Sequence, residues 1–116
     1  MAGGSPAPHV TALTALAEPN RLAIVELLRE GPLTVGEIAR RLGLRQPQAS
    51  KHLKVLSDSG ILDVRAEGNR RIYSLRSEPF EALDAWLRSM RRAMEDRFDN
   101  LDAYLRKLQG KDDPED

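Results

Sequence analysis

Residues 34–75 read TVGEIARRLGLRQPQASKHLKVLSDSGILDVRAEGNRRIYSL, and their capping and turn residues decide the fold. Thr34 and Glu37 have the spacing of a capping box, which predicts a helix over residues 35–42 that stops at the following glycine. A second helix is predicted over residues 46–59. The turn between the two is as short as the turn of a helix-turn-helix unit.

The end of this stretch alternates in the manner of two β-strands. Residues 61–66 and 71–76 are the predicted strands, and Glu67-Gly68-Asn69-Arg70 joins them. Because glycine and asparagine tolerate a positive φ, the sequence predicts a tight β-hairpin with a basic tip.

Two further helices are predicted before this stretch. Residues 1–8, MAGGSPAP, are expected to form a flexible arm. A short apolar helical stripe follows, formed by Val10, Leu13, Leu16 and Ala17. Pro19 is suited to the first turn of the next helix, whose apolar positions are Ala23, Ile24, Leu27 and Leu28.

Residues 79–109 are predicted to form one long helix. Its apolar residues recur three or four positions apart, which is a heptad seam with one four-residue stutter between Met94 and Phe98. The seam consists of Phe80, Leu83, Leu87, Met90, Met94, Phe98, Leu101, Leu105 and Leu108. Residues 110–116, GKDDPED, are expected to form a frayed acidic tail.

Together these elements predict a mainly α fold with a small β-hairpin, a winged helix-turn-helix that ends in a long C-terminal helix. The predicted division is a flexible arm over residues 1–8, the winged helix-turn-helix over residues 9–76, a long dimerisation helix over residues 77–109 and the tail over residues 110–116. This fold inserts the second helix of its helix-turn-helix into the major groove of DNA.

The composition restricts the classes of protein to which the chain can belong. The 116 residues are 41% hydrophobic and 31% charged, as in a globular protein. No run approaches the roughly 18 apolar residues of a membrane span, and no secretory segment is recognised, so a cytoplasmic location without a membrane partner is expected. Because the chain has no cysteine, disulfides, thiolate metal sites and thiol switches are excluded.

Charge is unevenly distributed although the net charge is zero. Residues 21–76 contain eleven Lys and Arg against six Asp and Glu, whereas residues 77–116 contain seven against eleven. Clustered positive charge favours binding to the phosphate backbone of duplex DNA. A solvated surface without a function is the alternative.

The predicted helix over residues 46–59 has one buried face and several polar ones. At about 100° per residue, Ala49, Leu53 and Leu56 lie on the same side. Amide, hydroxyl and ammonium groups on the other sides can meet base edges and phosphates. The candidate DNA contacts on this helix are Gln46, Gln48, Ser50, Lys51 and Lys54.

His52 lies at the boundary between the buried and polar faces, where a packing role and a contact with DNA are equally open. In the hairpin, Arg70 and Arg71 follow the Gly-Asn turn and Arg65 precedes it. Arginines at a protruding tip can contact phosphates or enter a narrow minor groove. They could instead serve solubility.

The chain resembles the ArsR/SmtB family of bacterial winged-helix repressors. The matching segments are ALAEPNRLAIVELL, LTVGEIARRLGLRQPQASKHLKVLSDSGIL and EGNRRIYSL, which cover most of residues 15–75. The resemblance implies a homodimer in which the first and last helices pair, with two recognition helices reading half-sites about 34 Å apart in a palindromic operator. It implies as base and phosphate readers Gln46, Gln48, Ser50, Lys51 and His52.

Two residues depart from the family pattern. Glu18 stands where Asp is usual, and Arg45 stands where a small N-cap residue is expected. Both should weaken the local helix caps slightly, and Arg45 could add a phosphate contact instead.

The family is best known for metal sensing, which this sequence does not favour. Metal-responsive members place cysteines in the third helix, or histidines and carboxylates along the last helix. Here the third helix reads VGEIARRL and the last helix has no histidine. Since borderline and soft metals prefer Cys and His ligands, we expect no metal site and no cofactor.

The seam of the last helix is longer than a small domain can bury. From Phe80 to Leu108 it would span about 43 Å, and an exposed apolar strip of that length requires a partner. The predicted homodimer interface consists of Val10, Leu13, Leu87, Met90, Met94, Phe98, Leu101, Leu105 and Leu108. A ligand pocket lined by Trp86, Met90 and Met94 is the alternative.

The sequence therefore predicts a dimeric repressor that occupies double-stranded operator DNA. Its release by a non-metal small molecule, by a partner protein or by titration is left open. The alternative function is a winged-helix protein-interaction module whose last helix docks a partner protein. An enzyme is not expected, because no nucleophile–base set, phosphate-binding glycine loop or paired carboxylates are recognised.

Overall fold

The computed structural model describes residues 6–112, with side chains over residues 6–110. The chain divides into two compact units that meet within the last helix, between Leu83 and Asp84. The elements are α1 (Pro8–Leu16), α2 (Pro19–Leu28), β1 (Leu33–Thr34), α3 (Val35–Leu42), α4 (Gln46–Asp58), β2 (Leu62–Glu67), β3 (Arg70–Leu75) and α5 (Glu78–Asp112).

This order confirms the predicted mainly α, winged helix-turn-helix fold with a long C-terminal helix. Most of the predicted flexible arm and the end of the predicted acidic tail lie outside the described residues.

The first unit is built around one apolar cluster. Its fully buried large side chains come from α2, α3, α4 and the start of the hairpin, and they are Ile24, Ile38, Leu53, Leu56 and Ile61. Complete burial of each such side chain contributes about 1.5–3 kcal/mol to folding. The α4 stripe of Ala49, Leu53 and Leu56 faces the core as predicted, so the other faces of α4 lie at the protein surface.

α3 begins and ends where its sequence predicted. Glu37 Oε1 accepts the backbone N–H of Thr34 at 2.9 Å, and Thr34 Oγ1 accepts the N–H of Glu37 at 3.2 Å. Gly43 follows with a φ of 67°, a left-handed conformation that ends the helix. The hydrogen bonds from Thr34 hold the pKa of the Glu37 carboxyl below its ordinary value.

The hairpin is tighter than predicted. β2 and β3 pair antiparallel as far as Glu67 opposite Arg70, so only Gly68 and Asn69 form the loop. Gly68 carries a φ of 62°, and no non-glycine residue in the described chain has a positive φ. The predicted four-residue loop was therefore wrong, because one glycine suffices for the reversal and the two flanking residues pair as strand.

The sheet has a third strand that the sequence did not predict. β1 pairs antiparallel with β3, with Leu33 opposite Tyr73 and Thr34 opposite Ile72, in the strand order β1-β3-β2. Two residues are too few to show alternation. Thr34 thus belongs both to the sheet and to the N-cap of α3.

α1 and α5 lie at the two ends of the described chain. α1 buries Ala12 and Ala15, whose small side chains allow the helix to lie close to the core. Val10 and Leu13 are 43% and 42% exposed. α5 continues through the first residues of the predicted tail and ends the described chain at Asp112.

Thr34→Ala should lower the free energy of unfolding by about 1 kcal/mol, because it removes the side-chain cap of α3. Urea denaturation followed by circular dichroism measures the difference. Thr34→Ser is the matched control and should retain most of the stability. Equal stability of the alanine variant and the wild type would show that the cap contributes nothing.

The same cap should make stability depend on pH. Because the folded-state pKa of Glu37 is lowered, its contribution is present above the ordinary glutamate pKa and is lost as pH falls through the folded value. Denaturation midpoints of the wild type should therefore drop in acid relative to those of Glu37→Gln, which cannot ionise at this position.

Candidate nucleic-acid interface

An open cleft of about 720 Å³ lies between α4 and the β2–β3 hairpin, with the start of α3 as its third wall. Polar side chains from the helix and the hairpin face each other across it. They are Gln46, Ser50 and Lys54 from α4, and Asn69, Arg70 and Arg71 from the hairpin.

The three α4 residues share one stripe because they are four positions apart, a little more than one helical turn. All three are exposed, since the apolar stripe of the same helix is inside the core. Arg70 and Arg71 come directly after the two-residue loop and are exposed as well. The cleft thus brings together five of the nine predicted DNA contacts.

Ser57 is a cleft residue that the sequence analysis missed. It lines the cleft one turn beyond Lys54, and its Oγ is buried without a hydrogen-bond partner among the described residues. The spacing of Ser50, Lys54 and Ser57 on one helical stripe is the signal that could have identified it.

The other four predicted contacts, Arg45, Gln48, Lys51 and His52, are not part of the cleft lining. Gln48 has a structural role, because its Oε1 accepts the backbone N–H of Arg45 at 3.0 Å. This is one half of a capping box, and it stabilises the start of α4 although the Arg45 side chain makes no cap hydrogen bond.

His52 contacts Glu18, at the start of α2. The His52 Nε2 atom lies 3.6 Å from Glu18 Oε2, and both side chains are partly buried. Glu18 Oε1 also accepts the backbone N–H of Asn20, so this glutamate makes the cap hydrogen bond expected of the usual aspartate.

The cleft is more positive than negative. Lys54 Nζ lies 3.1 Å from Asp58 Oδ2, but both groups are well exposed, so this pair contributes little and leaves the lysine accessible. Among the described residues, Arg70 and Arg71 form no ion pair. Three cations against one carboxylate favour an anionic ligand such as a phosphate backbone.

The second unit presents the predicted apolar seam on its helix. Exposure of the seam residues from Leu87 onward ranges from 39% at Leu108 to 65% at Phe98. Met94, Phe98 and Leu101 also line a shallow depression together with Arg97.

Among residues 6–112, no group of three or more His, Cys, Asp and Glu side chains is placed to hold a metal ion. Over the same residues, no helix combines the length and the apolar composition needed to cross a membrane.

Comparison with known proteins identifies relatives of the chain. Residues 16–65 match a family model described as a helix-turn-helix domain. The chain is 51% identical over 61 residues to the HTH-type transcriptional regulator Rv2034 of Mycobacterium tuberculosis, a match that covers 53% of this chain and 57% of that protein. It is 34% identical over 79 residues to the HTH-type transcriptional regulator YgaV of Escherichia coli, covering 67% of this chain and 80% of that protein.

The chain therefore spans little more than half the length of Rv2034. Among solved structures, the crystal structure of an ArsR family transcriptional regulator matches with a TM-score of 0.71 and 33% identity. That match covers 81% of this chain and 97% of the other.

Proposed function

Since the chain belongs to the ArsR family of winged helix-turn-helix transcriptional regulators, we propose that it is a repressor that binds operator DNA and blocks transcription by occupying it. Family membership confirms the prediction of a regulator and not an enzyme. The observation that carries the proposal is the cleft in which α4 faces the arginines of the hairpin. The repressor would act in the cytoplasm.

In this proposal, α4 lies in the major groove and the hairpin contacts the adjacent backbone. Gln46 and Ser50 offer amide and hydroxyl groups to base edges, which is how sequence is read. Lys54, Arg70 and Arg71 supply the positive charge that phosphates require. Arg45, Gln48 and Lys51 remain candidates at the start of the helix, outside the cleft.

Electrophoretic mobility shift with DNA from the neighbourhood of the gene tests the proposal. A salt-sensitive, sequence-dependent shift at physiological salt is expected. Its absence would favour the alternative, a protein-interaction module whose long helix docks a partner.

Ser50→Ala should weaken binding to the operator by about 1–3 kcal/mol, because a base contact is lost. The loss should be confined to particular base pairs, so a panel of single-base operator variants measures it. Equal weakening on every sequence would show that Ser50 is no base reader.

Arg70→Ala should instead weaken binding to all sequences and reduce the salt slope by about one unit per protomer, because a phosphate contact is lost. Arg65→Ala is the matched control, since Arg65 is a hairpin arginine that does not line the cleft and lies 3.5 Å from Glu67. Equal effects of the two substitutions would show that Arg70 acts only through its charge and makes no specific phosphate contact.

We further propose that the repressor is a homodimer held by the apolar seam of α5, with Val10 and Leu13 of α1 contributing. The support is that the seam residues from Leu87 onward, together with Val10 and Leu13, are all at least 39% exposed in the single chain. A second copy would cover the seam by heptad packing, and a dimer would present two α4 helices to a palindromic operator.

The double substitution Leu101→Glu with Leu105→Glu should give monomers in sedimentation, because it places two charges in the seam. Asn100→Glu with Ala103→Glu adds the same charges off the seam and should leave the dimer intact. Surviving dimers of the first variant would exclude the distal part of α5 as the interface.

Release from DNA is proposed not to depend on a metal ion. The chain has no cysteine and only two histidines. One of these, His52, lies beside Glu18. This pair supplies only two of the four ligands that a structural zinc ion needs. A non-metal small molecule, a partner protein and titration of the repressor remain the three candidates for release.

Adding Zn²⁺ or Ni²⁺ should therefore leave operator affinity unchanged in mobility-shift titrations, and chelator treatment should have no effect either. A reproducible loss of affinity that the chelator reverses would contradict metal independence.

A further inference from the structure

We propose that His52 is a positioning residue, which holds α4 in its DNA-binding orientation through Glu18 and reads no base itself. The inference rests on the proposed DNA-binding function. It selects between the two roles that the sequence left open for this histidine.

The position of His52 on α4 separates it from the cleft residues. It is two residues from Ser50 and two from Lys54, so it lies about 160° around the helix from each. It is absent from the cleft lining, and its side chain is only 21% exposed. A contact with DNA made through the cleft would therefore not include this imidazole.

The electrostatics at His52 also disfavour a phosphate contact. Glu18 Oε2 lies 3.6 Å from its Nε2 atom, so a carboxylate occupies the place where a phosphate oxygen would approach. Like charges repel at this range, which makes this edge of α4 unfavourable for the DNA backbone.

The Glu18 side chain is held in place by a hydrogen bond at the start of α2. Its Oε1 accepts the N–H of Asn20 in the first turn of α2, while Oε2 faces His52. The same corner is tied to α1, because Arg21 Nε donates to the carbonyl oxygen of Ala15 at 2.6 Å. The contact with His52 therefore relates the orientation of α4 to the α1–α2 corner.

Apolar packing alone leaves one motion of α4 weakly determined. Leu53 and Leu56 set the depth of the helix in the core, but a non-directional apolar contact resists rolling about the helix axis less well than a polar contact at the edge. A roll would displace Ser50 and Lys54 in the cleft together. The His52–Glu18 contact lies at the edge where it opposes such a roll.

Two substitutions of Glu18 separate its cap from its contact with His52. Glu18→Asp keeps a favoured N-cap residue for α2 but is too short to reach the imidazole. Glu18→Gln keeps the length and the hydrogen-bonding groups, and it should behave like the wild type. Denaturation midpoints establish that each variant is folded.

The first measurement needs no DNA. The chain has two histidines, so the NMR spectrum of its imidazole C–H groups reports on His52 with His9 as an internal reference. Glu18→Asp should shift the His52 resonance and leave that of His9 unchanged. An unchanged His52 resonance would show that the contact is absent in solution and would overturn the proposal.

The second measurement is a double-mutant cycle in operator binding. His52→Ala and Glu18→Asp should each weaken affinity about 2- to 10-fold, and the double variant should be no weaker than either. Base preference and salt slope should stay those of the wild type, and Glu18→Gln should retain affinity.

Other outcomes overturn the positioning role. These are additive losses, a change of preference at one base pair in His52→Ala, or full affinity of His52→Ala. Failure of the wild type itself to shift operator DNA would instead contradict the proposed function, so the two failures are distinguishable.

Discussion

The structure of the first unit depends on the complete burial of one stripe of α4. Ala49, Leu53 and Leu56 have no accessible surface, and the helices and strands around them pack against that stripe. A helix buried on one side must present its other sides, so the same constraint that stabilises the core exposes Ser50 and Lys54 to the cleft. Stability and the proposed recognition surface thus have one origin.

Polar contacts determine where the helices start, which non-directional apolar packing does not. At the starts of α2, α3 and α4, a side-chain oxygen of Glu18, Glu37 and Gln48 accepts the backbone N–H of Asn20, Thr34 and Arg45, respectively. These oxygens satisfy donors that a helix leaves free at its first turn. Two of these residues bear on the proposed recognition helix, because Gln48 caps the start of α4 and Glu18 contacts His52 of α4.

The features that could be predicted from the sequence are those with local signals. The capping box fixed the bounds of α3, and the period of Ala49, Leu53 and Leu56 gave the buried face of α4. The strand β1 and the contact between Glu18 and His52 could not be predicted, because they join residues far apart in the chain and neither has a repeating pattern. The candidate site was predicted as a set of residues, but its division into cleft and edge required the fold.

Thr34 connects the hairpin and the helix-turn-helix mechanically. Its side chain caps α3, while its backbone is paired opposite Ile72 in the central strand of the sheet. Displacing the hairpin therefore strains the first turn of α3, and a shift of α3 pulls on the hairpin. Thr34 also lines the cleft, so the wall formed by the start of α3 is joined to the hairpin through this one residue and does not move independently of it.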